Sequence, residues 1–340
     1  MFAKLKARLS EFLARLVRRA PPTPGHYIAG HKFAWRGRLD AAPWLWPARE
    51  YLLYVPRGYG RWTRRPLLVL IHGCKQTPED IAAGTRIAAM ADEYGWLVLL
   101  PRQSDKANPW SCWNWFDTAT SAGHGETAIV AAQVRAVRRR YRVHPRRIFV
   151  AGMSAGGTLA ATLGVRHPEM FAGVFVHSGL ACGAASGPAA AMQVTSRGAD
   201  TDTQQIGAQA RAAAPGKARL PLLVIHGERD EVVARINAFQ LVRQYLALNG
   251  VTLSQASGRD DERPPPDYEF TLELSGGRAM KVAEYREGRR VVARLVQVPE
   301  LGHAWSGGDA SYPFNDPDPP DATGMLGEFV EGRLGSLTTR

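Results

Sequence analysis

Arg147-Ile148-Phe149-Val150-Ala151-Gly152-Met153-Ser154-Ala155-Gly156-Gly157 decides how the rest of the chain is read. A β-branched and aromatic run leads straight into Gly-x-Ser-x-Gly, and the small-residue stretch Thr158-Leu159-Ala160-Ala161-Thr162-Leu163-Gly164 follows. Strand, tight turn and helix in that order bring the residues two before and two after the serine into collision, so sterics demand glycine at 152 and 156. The Ser154 hydroxyl then stands exposed above a sheet edge, and the first helix amides point at whatever it attacks. The rival reading, a structural turn serine, weakens if a base and an acid follow downstream.

Outward from this turn, strands alternate with helical periods. Tyr51-Leu52-Leu53-Tyr54-Val55 reads as an edge strand ended by Pro56. Residues 66–72 form a near-continuous apolar run, the mark of a parallel strand covered on both faces. Thr77-Pro78-Glu79-Asp80 opens a helix with cap and proline in favoured places. Residues 96–101, 173–177 and 222–226 supply further buried strands, and 125–140 a long helix. Residues 279–286 and 291–298 read as a hairpin across Glu287-Gly288. The pattern predicts an α/β fold, a doubly wound and mostly parallel sheet with helices on both faces, spanning residues 49–335. Within it, 182–220 is a candidate cap segment and 254–268, with Arg263-Pro264-Pro265-Pro266, reads as a mobile loop.

A serine hydroxyl is a weak nucleophile and needs a base, which needs an orienting acid. Asp230 follows the strand ending Ile225-His226-Gly227 and suits the acid, with Glu228 as its rival. His303, in Leu301-Gly302-His303-Ala304-Trp305-Ser306-Gly307-Gly308, follows the last strand and suits the base, where Trp305 can wall the imidazole from water. His72 and His226 end strands and read as supporting residues, while His124 in a glycine-rich loop is the lesser candidate base. The oxyanion of a tetrahedral intermediate needs preorganised donors. The Ala155 amide is one, and the Cys74 amide in the His72-Gly73-Cys74 turn is the expected second. Asn108-Pro109-Trp110-Ser111-Cys112-Trp113-Asn114-Trp115-Phe116 is the densest aromatic stretch, so Trp110, Trp113, Trp115 and Phe116, with Trp305, are expected to line an apolar cleft.

The formal charge of +12 comes from arginine spread along the chain, densest at Arg138-Arg139-Arg140 and at the N-terminus. No basic motif is interleaved with aromatics, so a nucleic-acid partner is not expected, whereas anionic surfaces or acidic products suit the charge. Cys74, Cys112 and Cys182 have no metal-ligand spacing and no dense disulfide framework. Cys74 and Cys112 both fall in loops expected to rim the site, and whether they are bridged stays open. Residues 1–20 carry Phe2, Leu5, Leu9, Phe12, Leu13, Leu16 and Val17 at helical spacing among lysines and arginines, before the proline-rich linker and N-terminal extension of 21–48. This basic amphipathic helix either packs on the body or anchors the protein to a granule or membrane surface. No secretory h-region or spanning stretch is recognised, and a cytoplasmic, granule-associated protein is the expectation.

Six motifs occur in order: Leu70-Ile71-His72-Gly73-Cys74, residues 112–116, Gly125-Glu126, residues 152–157, His226-Gly227 with Asp230, and residues 302–308. Together they resemble the esterases of the poly(3-hydroxybutyrate) depolymerase family, α/β-hydrolases related to feruloyl and acetyl-xylan esterases. The similarity spans roughly residues 50–335 and includes Phe314-Asn315-Asp316-Pro317. It implies a Ser154, Asp230, His303 triad, no cofactor and no metal, and a polyester or small-ester substrate taken through an acyl-enzyme. Feruloyl or acetyl-xylan esters are the alternative substrates. A non-catalytic granule or membrane coat protein is the alternative of another class.

Overall fold

In β3 (Arg65–Ile71) every residue after the first is buried, because this strand lies inside a parallel array with apolar layers on both faces. The computed structural model describes residues 25–33, 49–60, 62–214, 219–251, 262–274, 276 and 278–332. The expected helix of residues 1–20, most of the 21–48 extension and residues 254–261 of the expected loop lie outside the described residues. The remaining strands are β1 (His26–Phe33), β2 (Arg49–Val55), β4 (Leu97–Pro101), β5 (Val143–Met153), β6 (Gly173–His177), β7 (Leu222–Gly227), β8 (Tyr268–Glu273), β9 (Ala279–Glu287) and β10 (Arg290–Val298). The short strands β11 (Trp305–Ser306) and β12 (Asn315–Asp316) pair apart from them. The helices are α1 (Pro78–Gly84), α2 (Ile87–Tyr94), α3 (Thr118–Ser121), α4 (Gly125–Arg140), α5 (Ala155–Arg166), α6 (Pro188–Arg197), α7 (Thr203–Ala213), α8 (Ile236–Asn249) and α9 (Ala322–Val330).

The main sheet has the order β1-β2-β4-β3-β5-β6-β7-β10-β9-β8. Strands β4, β3, β5, β6, β7 and β10 run parallel, while β1, β2, β9 and β8 join antiparallel. Side chains alternate between faces. Leu67, Val69 and Ile71 accordingly enter one core with Val134, Leu159 and Val242. Leu68 and Leu70 enter the other with Ile87, Trp96 and Leu326. The fold is thus the doubly wound α/β arrangement expected, and the parallel strands deliver their C-terminal ends to one rim.

Two expectations need correction. β2 is not an edge strand, because β1 pairs with it antiparallel from His26↔Val55 to Phe33↔Arg49. β1 falls inside the stretch read as linker and extension, since His-Tyr-Ile-Ala-Gly-His-Lys-Phe carries no buried-strand signal. β8 likewise extends the expected hairpin by one strand, with Phe270 and Leu272 half-buried on one face and Tyr268 exposed. The 182–220 segment holds α6 and α7 and is tied to α8 along its length, α7 through Thr203 Oγ1 donating to the Gln240 carbonyl at 3.2 Å. The Gln244 side chain accepts from the Cys182 amide and donates to the Cys182 carbonyl, at 2.8 and 2.9 Å. Asn237 Nδ2 donates to Val194 and Thr195 carbonyls at 3.0 Å each. At the edge of the expected mobile loop, the Pro264 carbonyl accepts from Tyr285 Oη at 2.9 Å.

Candidate active site

Ser154 sits between β5 and α5 with φ 56° and ψ −124°, a strained conformation for a residue with a side chain. Neighbouring glycines make the turn feasible. A Cβ on Gly156 would overlap the Ile71 and His72 carbonyls, and one on Gly152 would overlap the Gly156 carbonyl. The Ser154 amide donates to the His177 carbonyl at 2.9 Å, tying the turn to the end of β6. Ala155 opens α5, so its amide has no acceptor one helical turn back.

Beside this turn lies the loop after β3. A Cβ on Gly73 would stand 3.4 Å from Ser154 Cβ, so the loop is packed against the serine. The Gly73 amide donates to Gln76 Oε1 at 2.8 Å, and the Lys75 amide to the Trp110 carbonyl at 2.8 Å. Both flanking amides are therefore committed within the protein. Cys74 is bonded to Cys112, across a sequence separation of 38. The bridge ties the loop after β3 to the aromatic loop and answers the open question about these thiols. Closing a loop of that length constrains the unfolded chain by about 4 kcal/mol in the chain-entropy model. Reduction is therefore expected to lower the unfolding free energy by about 2–4 kcal/mol and to reduce turnover more than substrate binding. Urea melts and KM-against-kcat measurements with and without reductant check this.

Asp230 and His303, far apart in the sequence, are hydrogen-bonded to each other. His303 Nδ1 donates to Asp230 Oδ2 at 2.8 Å, and the Asp230 side chain is fully buried. Its Oδ1 accepts from the Val232 and Val233 amides at 3.0 and 2.8 Å. Burial pushes the Asp230 pKa up, but the His303 hydrogen bond, the electrostatic influence of the two imidazoles beside it and the Val233 amide outweigh it and hold it below the usual carboxylate value. Glu228, the rival acid, instead lies 3.2 Å from Lys281 Nζ. His124 is exposed at the start of α4.

Three more histidines stand at the C-terminal ends of the parallel strands β3, β6 and β7. The Gln103 amide donates to His72 Nε2 at 3.2 Å, so Nδ1 carries the proton and donates to the Gly73 carbonyl at 2.8 Å. His177 Nε2 accepts from the Ser306 amide at 3.3 Å, and its ring stacks on Trp305 with centroids 5.2 Å apart. His226 Nε2 donates to the Val233 carbonyl at 2.8 Å, closing the turn that bears Asp230. Burial pulls all three pKa values down from 6.5, to about 4 for His72 and about 3 for His177. The unfolded chain takes up these protons near pH 6.5 and the folded chain does not. Each histidine therefore withdraws about 1.4 kcal/mol of stability per pH unit as pH falls below that value, until its folded-state pKa is reached. Urea midpoints are expected to be flat above pH 7 and to fall steeply from 6.5 towards 4.5; a level profile would contradict neutral burial.

The aromatic expectation needs correcting residue by residue. Trp113 is fully buried, its Nε1 donating to the His72 carbonyl at 3.1 Å. Trp305 is buried, with Nε1 donating to Thr323 Oγ1 at 3.1 Å. Trp115 is buried edge-on against half-buried Phe116. These rings hold loops from beneath because each indole N–H finds an internal acceptor, or its ring a neighbour, that a solvent-facing wall would lack. Trp110 does remain exposed. The loop's shape comes from Glu126, which accepts from the Asn114 amide and Gln103 Nε2 at 2.6 Å each. Phe314, with φ 59°, sets its ring 6.4 Å from that of His303. No spacing rule announces such a contact, since it is made across the β11–β12 pair.

A ten-stranded, mostly parallel sheet with a strained serine between strand and helix defines an α/β-hydrolase. Residues 49–264 match the family described as esterase PHB depolymerase, and the chain belongs to that family of carboxylic-ester hydrolases. It is 30% identical over 211 residues to feruloyl esterase B of Neurospora crassa, covering 59% of this chain and 70% of the relative. It is 27% identical to poly(3-hydroxyalkanoate) depolymerase C of Paucimonas lemoignei, covering 58% and 48%. It is 25% identical to a probable acetylxylan esterase A of Neosartorya fischeri, covering 65% and 61%. The chain thus spans about half the length of that depolymerase. Among solved structures, the acetyl xylan esterase from Aspergillus awamori superimposes with a TM-score of 0.58 at 20% identity, covering 75% of this chain and 89% of that one, a likeness of fold.

Proposed function

We propose that this esterase cleaves its substrate through Ser154, with His303 as base and Asp230 as the acid that orients it. The observation that carries this reading is the 2.8 Å bond from His303 to a buried carboxylate, His303 standing in the loop whose Ser306 amide reaches the same His177 that holds the Ser154 amide. His303 takes the Ser154 proton as the oxygen adds to the ester carbonyl. The imidazolium is held by Asp230, and the oxyanion is met by the Ala155 and Cys74 amides. Collapse expels the alcohol, which takes its proton from His303. Water, deprotonated by the same imidazole, then releases the acid from the acyl-enzyme.

The substrate class we favour is a short-chain poly(3-hydroxyalkanoate) or its oligomers. Exposed Trp110, Tyr312 and Phe314, at 64%, 37% and 36%, support it, because the last lies beside His303 and an apolar chain needs apolar contact near the reacting ester. A feruloyl or acetyl ester is the second reading, favoured by the 30% identity to a feruloyl esterase. Release of 3-hydroxybutyrate from amorphous polymer, measured beside release of ferulate from its methyl ester, decides between them; faster ferulate release would displace the polyester. The Cys74–Cys112 bridge supports an oxidising compartment in place of the cytoplasm expected from the sequence. Surface anchoring by residues 1–20 belongs to the same reading and rests on their amphipathic spacing alone.

A further inference from the structure

Gln76 is buried and takes no proton in the reaction, yet it touches two separate walls of the site. It directly precedes Thr77, the cap of α1, whose Oγ1 accepts from the Asp80 amide at 3.2 Å while the Thr77 amide donates to Asp80 Oδ2 at 2.8 Å. That reciprocal cap fixes the backbone from which the Gln76 side chain springs. Its Oε1 accepts from the Gly73 amide at 2.8 Å, and its Nε2 donates to the Pro313 carbonyl at 3.1 Å. A carboxamide offers acceptor and donor side by side, and these two partners fix which way it points.

Each bond ends on backbone that bears on the reaction. The Gly73 carbonyl and the Cys74 N–H belong to one planar trans peptide, so they point in opposite directions. His72 Nδ1 holds that carbonyl at 2.8 Å, and Gln76 holds the Gly73 amide just before it. Two side chains thus set the peptide plane, and with it the direction of the Cys74 N–H. At the other end, the Pro313 carbonyl belongs to the peptide leading into Phe314. A bulky residue keeps a φ of 59° only under outside restraint. Asn315 Nδ2 shares the Pro313 carbonyl at 2.9 Å, and the Trp305 amide donates to the Phe314 carbonyl at 2.8 Å. Those two restraints come from the β11–β12 pair, whereas Gln76 brings one from the wall beside Ser154. The ordinary reading of a buried glutamine is a pair of polar groups satisfied inside a core. Any two partners would meet that need. It does not explain why one partner is the loop against the nucleophile and the other the residue before the ring at His303. We propose, on the footing of the Ser154 and His303 reading with its Cys74 oxyanion donor, that Gln76 is a positioning residue: it sets the oxyanion loop and Phe314 at a fixed spacing across the site. An ester whose acyl group lies against Phe314 then has its carbonyl oxygen aimed at the donor, so binding and orientation are coupled.

The test compares the full chain with Gln76→Met and Gln76→Glu, each rate divided by the active sites titrated with a fluorophosphonate so that misfolded protein drops out. Gln76→Met keeps the volume and loses both bonds. It is expected to lower kcat on p-nitrophenyl acetate about 10- to 100-fold with KM little changed, less than the loss of a whole oxyanion donor. For an ester with a long or aromatic acyl group KM should also rise severalfold, because Phe314 shifts. Gln76→Glu discriminates positioning from packing. As a carboxylate it has no proton for the Pro313 carbonyl; protonated, it donates there while its other oxygen still accepts from the Gly73 amide. Burial raises a carboxyl pKa, so the kcat ratio of this variant to wild type is expected to rise at least about fivefold from pH 8 to pH 5.5. Titration of His303 divides out of that ratio, and His72, held at about 4 chiefly by burial, stays neutral throughout. Asp80 and Glu79 on α1 and Arg102 after β4 also act on this corner and are common to both proteins. A ratio flat in pH, or a Gln76→Met kcat within about twofold of wild type, would overturn the proposal. Equal KM changes for the small and the large ester would overturn its reach to Phe314. Turnover retained by Ser154→Ala would instead bring down the underlying reading, whereas an inert Ser154→Ala beside an unimpaired Gln76→Met would remove the strut alone.

Discussion

Replacing Ser154 by alanine is expected to lower kcat for a soluble ester by at least about a thousandfold, with KM little changed. The loss is large because nothing nearby can replace the oxygen. Thr158 Oγ1, one helical turn on, is committed to the Ser154 carbonyl at 3.1 Å and to the Leu180 amide at 3.0 Å. Ser178, at the end of β6, is fully buried beneath the same rim, with Oγ 3.2 Å from His177 Nδ1. Both hydroxyls already have partners, and His303 is bonded to Asp230 and not to either of them. Removing Oγ adds no atom to the crowded turn, so the elbow glycines and the Ser154–His177 backbone bond are undisturbed and the melting temperature should move little. Activity-based labelling separates outcomes: wild type should react with a fluorophosphonate and the alanine variant should not. A variant retaining more than about a tenth of wild-type turnover would remove Ser154 from the mechanism and return the non-catalytic coat reading to consideration.

How much of this was legible from residues alone depends on whether the determining contact is local. The elbow was, because its geometry is enforced within five residues by Gly152 and Gly156. The buried parallel strands were as well, since coverage on both faces leaves an uninterrupted apolar run such as 67–71. Asp230 and His303 stand out as candidates because each lies a few residues past the end of such a strand. β1 was not legible. It pairs through its backbone, and its side chains need not be apolar to do so. The tryptophans misled for a related reason. A ring in a loop rich in Asn, Pro and Ser looks solvent-facing, yet Trp113 reaches down to a main-chain carbonyl forty-one positions earlier. The roles of Gln76, His177 and Phe314 arise from contacts between distant segments, such as Gln76 Nε2 donating to the Pro313 carbonyl at 3.1 Å, and periodicity cannot report these.

Asp230→Asn is expected to reduce kcat by about a thousandfold to ten-thousandfold while leaving the fold intact. The carboxylate has two distinct jobs, one per oxygen: Oδ1 accepts two backbone amides, and Oδ2 accepts the His303 Nδ1 proton. An asparagine keeps a single acceptor. If its oxygen stays on the Val232 and Val233 amides, its NH2 group faces Nδ1 and forces the imidazole proton onto Nε2, the atom that must receive the serine proton. If it flips, two donors oppose two amide donors, the turn closed by His226 loosens, and the acid site loses its position. Either way the negative charge that stabilises the imidazolium is gone. Because the folded-state pKa of Asp230 is depressed, its contribution to stability is full above the ordinary carboxylate value and is lost as pH falls through the lower, folded one. The stability difference between wild type and Asp230→Asn should therefore shrink in strong acid, while the difference in rate persists across the neutral range. Fluorophosphonate labelling should slow in proportion to kcat, because the step impaired is activation of the serine and not release of product. Turnover within tenfold of wild type, with labelling undiminished, would mean that the 2.8 Å bond to His303 orients nothing that the reaction uses.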